Sequence, residues 1–171
     1  GRDARPTRDS TLKRTRPDST SMGLLDGLFG SGTRVGLYVD GPNVLRSEFD
    51  TDLDELMALA GEEGSVAVSR VYLDEHATPE LIQACESRGF EVVVTSGDVD
   101  VKLAVDATRF AAEGRADTIA IASRDTDFKP VVEAANAMGL RTVAIAPGEH
   151  GRSDALRNAS NESVTLDGDV V

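Results

Sequence analysis

A chain of 171 residues, 40% of them hydrophobic, holds enough material for one domain of ordinary size with a real core, plus a tail. Nothing in it approaches the roughly 18 consecutive apolar residues of a membrane span, and no secretory pattern opens it, so a cytoplasmic protein with no membrane partner is expected. Its net charge of −12 makes tight, sequence-indifferent binding to nucleic acid at ordinary salt a poor prospect unless the charge is locally reversed around a site.

Residues 1–21 are rich in Arg, Thr, Ser, Asp and Pro with almost no apolar content, the composition of a disordered tail, and Met22 is a plausible true start. That tail carries six basic and three acidic residues, which leaves −15 for the remainder. Residues 22–33, "MGLLDGLFGSGT", place Leu24, Leu25, Leu28 and Phe29 on one helical face, yet are short and Gly-rich, and read as a linker or docking segment. Residues 34–167 form the expected domain, and 168–171 an acidic end.

Within the domain, short apolar strands alternate with helical patterns. Strands are predicted at 34–40 "RVGLYVD", 66–73 "VAVSRVYL", 91–95 "EVVVT", 118–123 "TIAIAS" and 141–146 "RTVAIA", with a short last one near 163–167. Asp52 and Glu55 make an acid-capped start for a helix over 53–60 ended by Gly61, and Thr78-Pro79 opens one over 79–88 closed by Gly89. A third helix runs from 100 to 113 before Gly114, a fourth from 128 to 138 before Gly139, and a short fifth over 153–159. Near-continuous apolar strands separated by helices predict an α/β fold, a doubly wound, mainly parallel sheet of five main strands in the order 3-2-1-4-5. In such sheets the functional crevice lies beyond the carboxyl ends of the strands.

Acids collect at those ends. Asp40 closes the first strand, Asp74 the second, Asp98 and Asp100 follow the third, and Asp125 and Asp127 follow the fourth. Asp40, in "YVDGPNVLR", sits in a turn-forming context, but an anion at a sheet edge is costly without a partner, and Asn43 adds a neutral oxygen three residues on. Asp100 heads a helix at about 100° per residue whose Leu103, Ala104, Ala107, Phe110 and Ala111 fall within roughly 80° of it, so it opens the apolar face. Asp106 borders Lys102 and Arg109 and reads as a solvated acid paired with Lys102, or as a residue behind the site. Asp127 is expected to cap the helix beginning at Phe128, which leaves Asp125 without a capping role. Asp74 and Asp98 read as turn or cap residues, and the lone Cys85 as a small buried hydrophobe. Four carboxylates from three segments, Asp40, Asp100, Asp125 and Asp127, make an oxygen-only site suited to Mg²⁺ or Mn²⁺ rather than zinc. Such an ion lowers the pKa of bound water and neutralises charge on a phosphodiester.

"YVDGPNVLR", "GDVDVKLAVDATRFA" and "IASRDTDFKPVVEAANAMGLRTVAIAP" together resemble the three successive motifs of NYN domains, a PIN-like nuclease group that includes LabA-like proteins, and in particular an archaeal branch of it. The resemblance runs from about Arg34 to Leu166. It implies metal-dependent endoribonuclease chemistry, with Asp40, Asp100, Asp125 and Asp127 as acidic positions, Asn43 as the polar residue after the first strand, and Asp106 as the second acid of the helical motif. Ser123 joins Asp106 behind the acids, Arg46 and Arg124 are the expected phosphate contacts, and RNA is the expected partner, with a homo-oligomer among the expected states. The chain departs from many relatives in lacking a basic residue at Gly97-Asp98-Val99 and in reading Ser123-Arg124-Asp125 where they have Ser-Gly-Asp. A non-catalytic regulator that keeps the fold and binds RNA or a protein is the alternative. A dinucleotide-binding domain fits poorly because Gly30-Ser31-Gly32 precedes the first strand, and an aspartyl phosphatase lacks a second acid near Asp40.

Three lysines against 30 acids is a composition suited to very high salt. The expected outcome is a circular dichroism spectrum that stays folded in multimolar KCl; unfolding there would remove this reading.

Overall fold

The computed structural model describes residues 32–45, 52–148 and 154–166. The expectations for the tail, the segment 22–31, Arg46 and the acidic end lie outside the described residues.

Strand β1 (Arg34–Asp40) is the apolar run of the first motif and is buried along all but its first residue. It runs straight into a one-turn helix α1 (Gly41–Val44), where the sequence suggested only a turn; Pro42 at its start fits because the first-turn N–H groups have no helical acceptor. Helix α2 (Leu53–Glu63) begins as expected, with the Asp52 carboxylate accepting from the N–H groups of Asp54 and Glu55. It passes through Gly61 instead of stopping there. A glycine inside a helix costs only about 1 kcal/mol, and the buried Leu53, Leu56 and Ala60 hold the helix against the sheet.

Strand β2 (Ser65–Asp74) is followed by α3 (Pro79–Ser87), capped by the Thr78 hydroxyl, and by β3 (Glu91–Thr95). Helix α4 (Val99–Ala112) then leads to β4 (Thr118–Ala122), a 3₁₀ turn (Thr126–Phe128), α5 (Lys129–Ala137), β5 (Arg141–Ala146), α6 (Asp154–Ala159) and β6 (Glu162–Thr165). Gly114 and Gly139 follow α4 and α5 with φ of 70° and 81°, a conformation glycine adopts without the Cβ penalty.

All strand pairs are parallel, in the order β3-β2-β1-β4-β5-β6. The short sixth strand extends the expected five and leaves the central order unchanged. Side chains alternate across the sheet. Leu37 and Val39 of β1 therefore enter the core beneath α2 and α3, with Leu56, Val71, Cys85 and Phe90. Tyr38 enters the opposite core, with Leu103 and Phe110 of α4, Ile119, Phe128 and Leu156. Asp40 shares the parity of Tyr38. Its carboxylate thus belongs to the α4 face, where the first turn of α4 carries Asp100.

Strand order 2-1-4 puts β1 between β2 and β4, with Asp40 opposite Tyr72 and Val39 opposite Ala122. The residues directly after Ala122 are therefore Asp40's neighbours. Gly41 keeps this end tight: a Cβ there would meet the Tyr72 carbonyl oxygen and Leu73 Cδ2 inside contact distance.

Candidate metal centre

Asp40 has no exposed surface, a position that a carboxylate occupies only with compensation. Its Oδ2 receives two hydrogen bonds, from Asn43 Nδ2 at 2.6 Å and from Ser123 Oγ at 2.9 Å. Helix α1 supplies the first, because one helical turn brings Asn43 back over the strand end. The residue directly after the neighbouring strand β4 supplies the second. Among the described residues Oδ1 has no hydrogen-bond partner, although it too is buried.

Two further carboxylates meet Asp40. One oxygen each from Asp40, Asp100 and Asp125 lie within 4.8 Å of one another. Asp100 comes from the first turn of α4 and Asp125 from the residue before the 3₁₀ turn, both half-buried. Ser123 organises the last of these, since its Oγ also accepts the Asp125 N–H at 3.0 Å while donating to Asp40.

The electrostatics follow from crowding three anions into a half-dry place. Burial raises the Asp40 pKa above the usual carboxylate range; the hydrogen bonds from Asn43 and Ser123 work against this, and the Asp125 charge adds to it. Asp100 is pushed up to about 6, first by burial, then by the charge of Asp40 and by its hydrogen bond with Asp125 and the charges of Asp125 and Asp127. A cation would remove these penalties together. The donor set is oxygen only, without His or Cys, and the orphaned Asp40 Oδ1 is an acceptor waiting for a positive partner, so the residues present fit a hard divalent ion.

The expected residues divide into those brought together and those placed elsewhere. Asp40, Asp100 and Asp125 converge, with Asn43 and Ser123 behind Asp40. Asp127 is exposed and stands outside the three-carboxylate set, although its charge is felt by Asp100. The capping assignment is reversed: Asp125 Oδ1 accepts the Asp127 N–H at 2.9 Å, so Asp125 caps the 3₁₀ turn and Asp127 does not cap α5. One oxygen of Asp125 serves the turn, and the carboxylate still reaches the cluster. Arg124 is half-buried beside these residues.

Asp106 is not a solvated acid. Only 1% of it is exposed, and its carboxylate accepts from Tyr72 Oη at 2.9 Å, Arg70 Nη1 at 3.0 Å and Lys102 Nζ at 3.2 Å, with Arg109 Nη2 at 3.5 Å. Burial acts to raise its pKa, but these donors and the Lys102 and Arg70 charges outweigh it and hold the group below its ordinary value. The i,i+4 pair with Lys102 was legible in the sequence. The partners on β2, thirty-odd residues away, were not.

Comparison with known proteins gives relatives of this sequence and fold. The chain is 42% identical over 133 residues to an uncharacterized protein of Methanocaldococcus jannaschii, MJ0482, a match covering 78% of this chain. The matched part is 55% of that relative, so the chain spans about half the relative's length. The fold is similar to a crystal structure of a protein of unknown function from Vibrio parahaemolyticus, VPA0982, with a TM-score of 0.68 at 21% identity, covering 79% of this chain and 93% of that one.

Asp100 carries the pH prediction. A carboxyl whose folded pKa is about 6, above its ordinary 3.8, binds more protons in the folded than in the unfolded chain between those values. Its contribution to stability is therefore fully present below about 4 and declines as pH rises through about 6. In metal-free buffer, Asp100→Asn is expected to melt at the native temperature or below at acid pH, to gain on the native chain as pH rises from about 4 to about 6, and to keep that gain above it. Melting curves with a gap that stays constant from pH 4 to 8 would contradict this.

With the NYN domain family model matching residues 34–167 over the whole six-stranded sheet and its acidic edge, the chain belongs to the NYN domain family, a nuclease family.

Proposed function

We propose that the protein is a metal-dependent endoribonuclease of the cytoplasm, with Asp40, Asp100 and Asp125 holding Mg²⁺ or Mn²⁺ and RNA as substrate. The observation that carries this reading is the fully buried Asp40, whose Oδ1 has no hydrogen-bond partner among the described residues and whose carboxylate lies with one oxygen each of Asp100 and Asp125 inside 4.8 Å. A divalent ion held there supplies Lewis acidity toward a phosphodiester and makes water a competent nucleophile at neutral pH.

The chain's own residues do the positioning. Asn43 and Ser123 fix Asp40 Oδ2 from two sides, so that Oδ1 is presented in one orientation. The 3₁₀ turn fixes Asp125 through the Asp127 N–H. Asp127, exposed at the rim, is assigned to accept a hydrogen bond from the attacking water, and Arg124 and Arg46 are assigned to phosphate oxygens. The crowded acids repel an approaching phosphodiester until a cation is in place, which ties substrate binding at the centre to metal loading.

Incubation of single-stranded RNA with the purified protein and Mn²⁺ is expected to give products with 5′-phosphate ends. Asn43→Ala should lower the rate about 10- to 100-fold, the range for residues that orient metal ligands, and Asp125→Asn should lower it at least as far. Equal cleavage by the native chain and Asp125→Asn would remove this centre from the reaction. Metal binding without any cleavage would favour instead a regulator that keeps the fold.

A further inference from the structure

Away from the acidic edge, the face of helix α4 carries a concentration of positive charge that neither the fold nor the centre requires. Arg70, Lys102, Arg109 and Arg115 gather around one buried carboxylate, Asp106, and one buried ring, Phe110. Arg70, Lys102 and Arg109 all reach Asp106, and Arg70 also pairs with Glu91 at 3.0 Å. The guanidinium carbons of Arg70, Arg109 and Arg115 stand 4.7, 4.8 and 4.0 Å from the centre of the Phe110 ring. Three of these cations, Arg70, Lys102 and Arg109, thus draw on two carboxylates in the ion pairs they make, and Arg115 joins them over the ring. Other described cations are matched differently: Arg34, Arg88 and Lys129 each pair with one carboxylate, and Arg141 with two.

A local surplus of cations in a chain of net charge −12 costs repulsion that a solvated surface avoids by spacing them apart. Here they are braced instead. Phe110 has no exposed surface, so the guanidinium groups stack over a fixed platform, while Lys102 and Arg109 keep about half of their side chains exposed. Side chains already held in place lose less freedom on binding an anion.

The placement gives the surplus a direction. Asp100 of the acidic centre opens the helix on which Lys102 and Arg109 lie, about 3 Å and about 13 Å further along the axis at 1.5 Å per residue. Arg115 follows beyond the end of α4. A groove of about 520 Å³ between α4 and α5, lined by Val105, Ala112, Pro130 and Val131, flanks Arg109 and offers apolar surface to unpaired bases.

We propose that Lys102, Arg109 and Arg115, braced by Asp106 and Phe110, form a track for the phosphate backbone of single-stranded nucleic acid leading away from the Asp40–Asp100–Asp125 centre. The track deepens the nuclease reading and rests on it for its direction. It makes the cationic contacts with an extended strand beginning beside the acids and running along α4, where Lys102, Arg109 and Arg115 reverse the local charge.

The test is equilibrium binding of a short, dye-labelled single-stranded RNA across KCl concentrations in EDTA, where metal-dependent cleavage does not occur. Each lost phosphate contact on a single strand reduces the slope of log K against log salt by about 0.7, so the variant Lys102→Gln/Arg109→Gln/Arg115→Gln is expected to bind with a slope shallower by about 2. Arg115→Gln alone, at an exposed residue whose guanidinium rests on the ring, should lose about 0.7 of slope even where the triple variant folds poorly. Arg88→Gln/Lys129→Gln should bind as the native chain does. An unchanged slope in the folded variants, an equal loss in the Arg88/Lys129 control, or equally strong displacement of the RNA by polyglutamate would overturn the track. Failure of the two readings is separable: RNA bound through these residues but never cut with Mn²⁺ keeps the track and removes the nuclease, whereas cutting with an unchanged slope does the reverse.

Discussion

The site depends on a carboxylate placed where water cannot reach it. Asp40 ends the central strand of a parallel sheet, flanked by β2 and β4, with one oxygen satisfied by Asn43 and Ser123 and the other left without a partner among the described residues. An orphaned carboxylate oxygen in such a place costs several kcal/mol in an apolar protein core. That cost is tolerable where a cation completes the site, and the two carboxylates that converge on it, Asp100 and Asp125, worsen the apo state while improving the holo state. Burial and the neighbouring acids together raise the pKa of Asp100 to about 6, and the same grouping makes the cluster a good set of hard ligands.

Much of this was legible because parallel sheets obey strong rules. Continuous apolar strands such as "TIAIA" can be buried only between two helical layers, and the acid closing each strand falls on one edge of the sheet. Placing Asp40 near Asp125 required only that β1 and β4 be neighbours. The parity of β1, with Tyr38 and Asp40 on one face, further explains why the third acid comes from α4.

What sequence could not give was competition for the same few hydrogen-bond partners. "SRDTDF" offers two acids to one helix start, and local rules favour the one nearer the helix; the chain forms a 3₁₀ turn first, so Asp125 becomes the cap. Asp106 looked solvated because its helical neighbours are charged, yet Arg70 and Tyr72 reach it from β2 and bury it. A pairing across 34 or 36 positions leaves no periodic trace in the sequence. Net charge hides detail in a related way, since a total of −12 conceals four cations collected around Phe110 and Asp106. The molecule separates its charge, with acids at the sheet edge and cations along α4.

The central claim is that the three carboxylates form one cation site, and proton release measures it most directly. Calorimetric titration with Mn²⁺ at pH 5.5, in buffers of different ionisation enthalpy, counts the protons displaced as the ion binds. Because Asp100 is largely protonated at that pH and a coordinating carboxylate is not, the account predicts binding with net proton release that shrinks as pH rises above 7. Absence of binding, or binding with no proton release at pH 5.5, would contradict it.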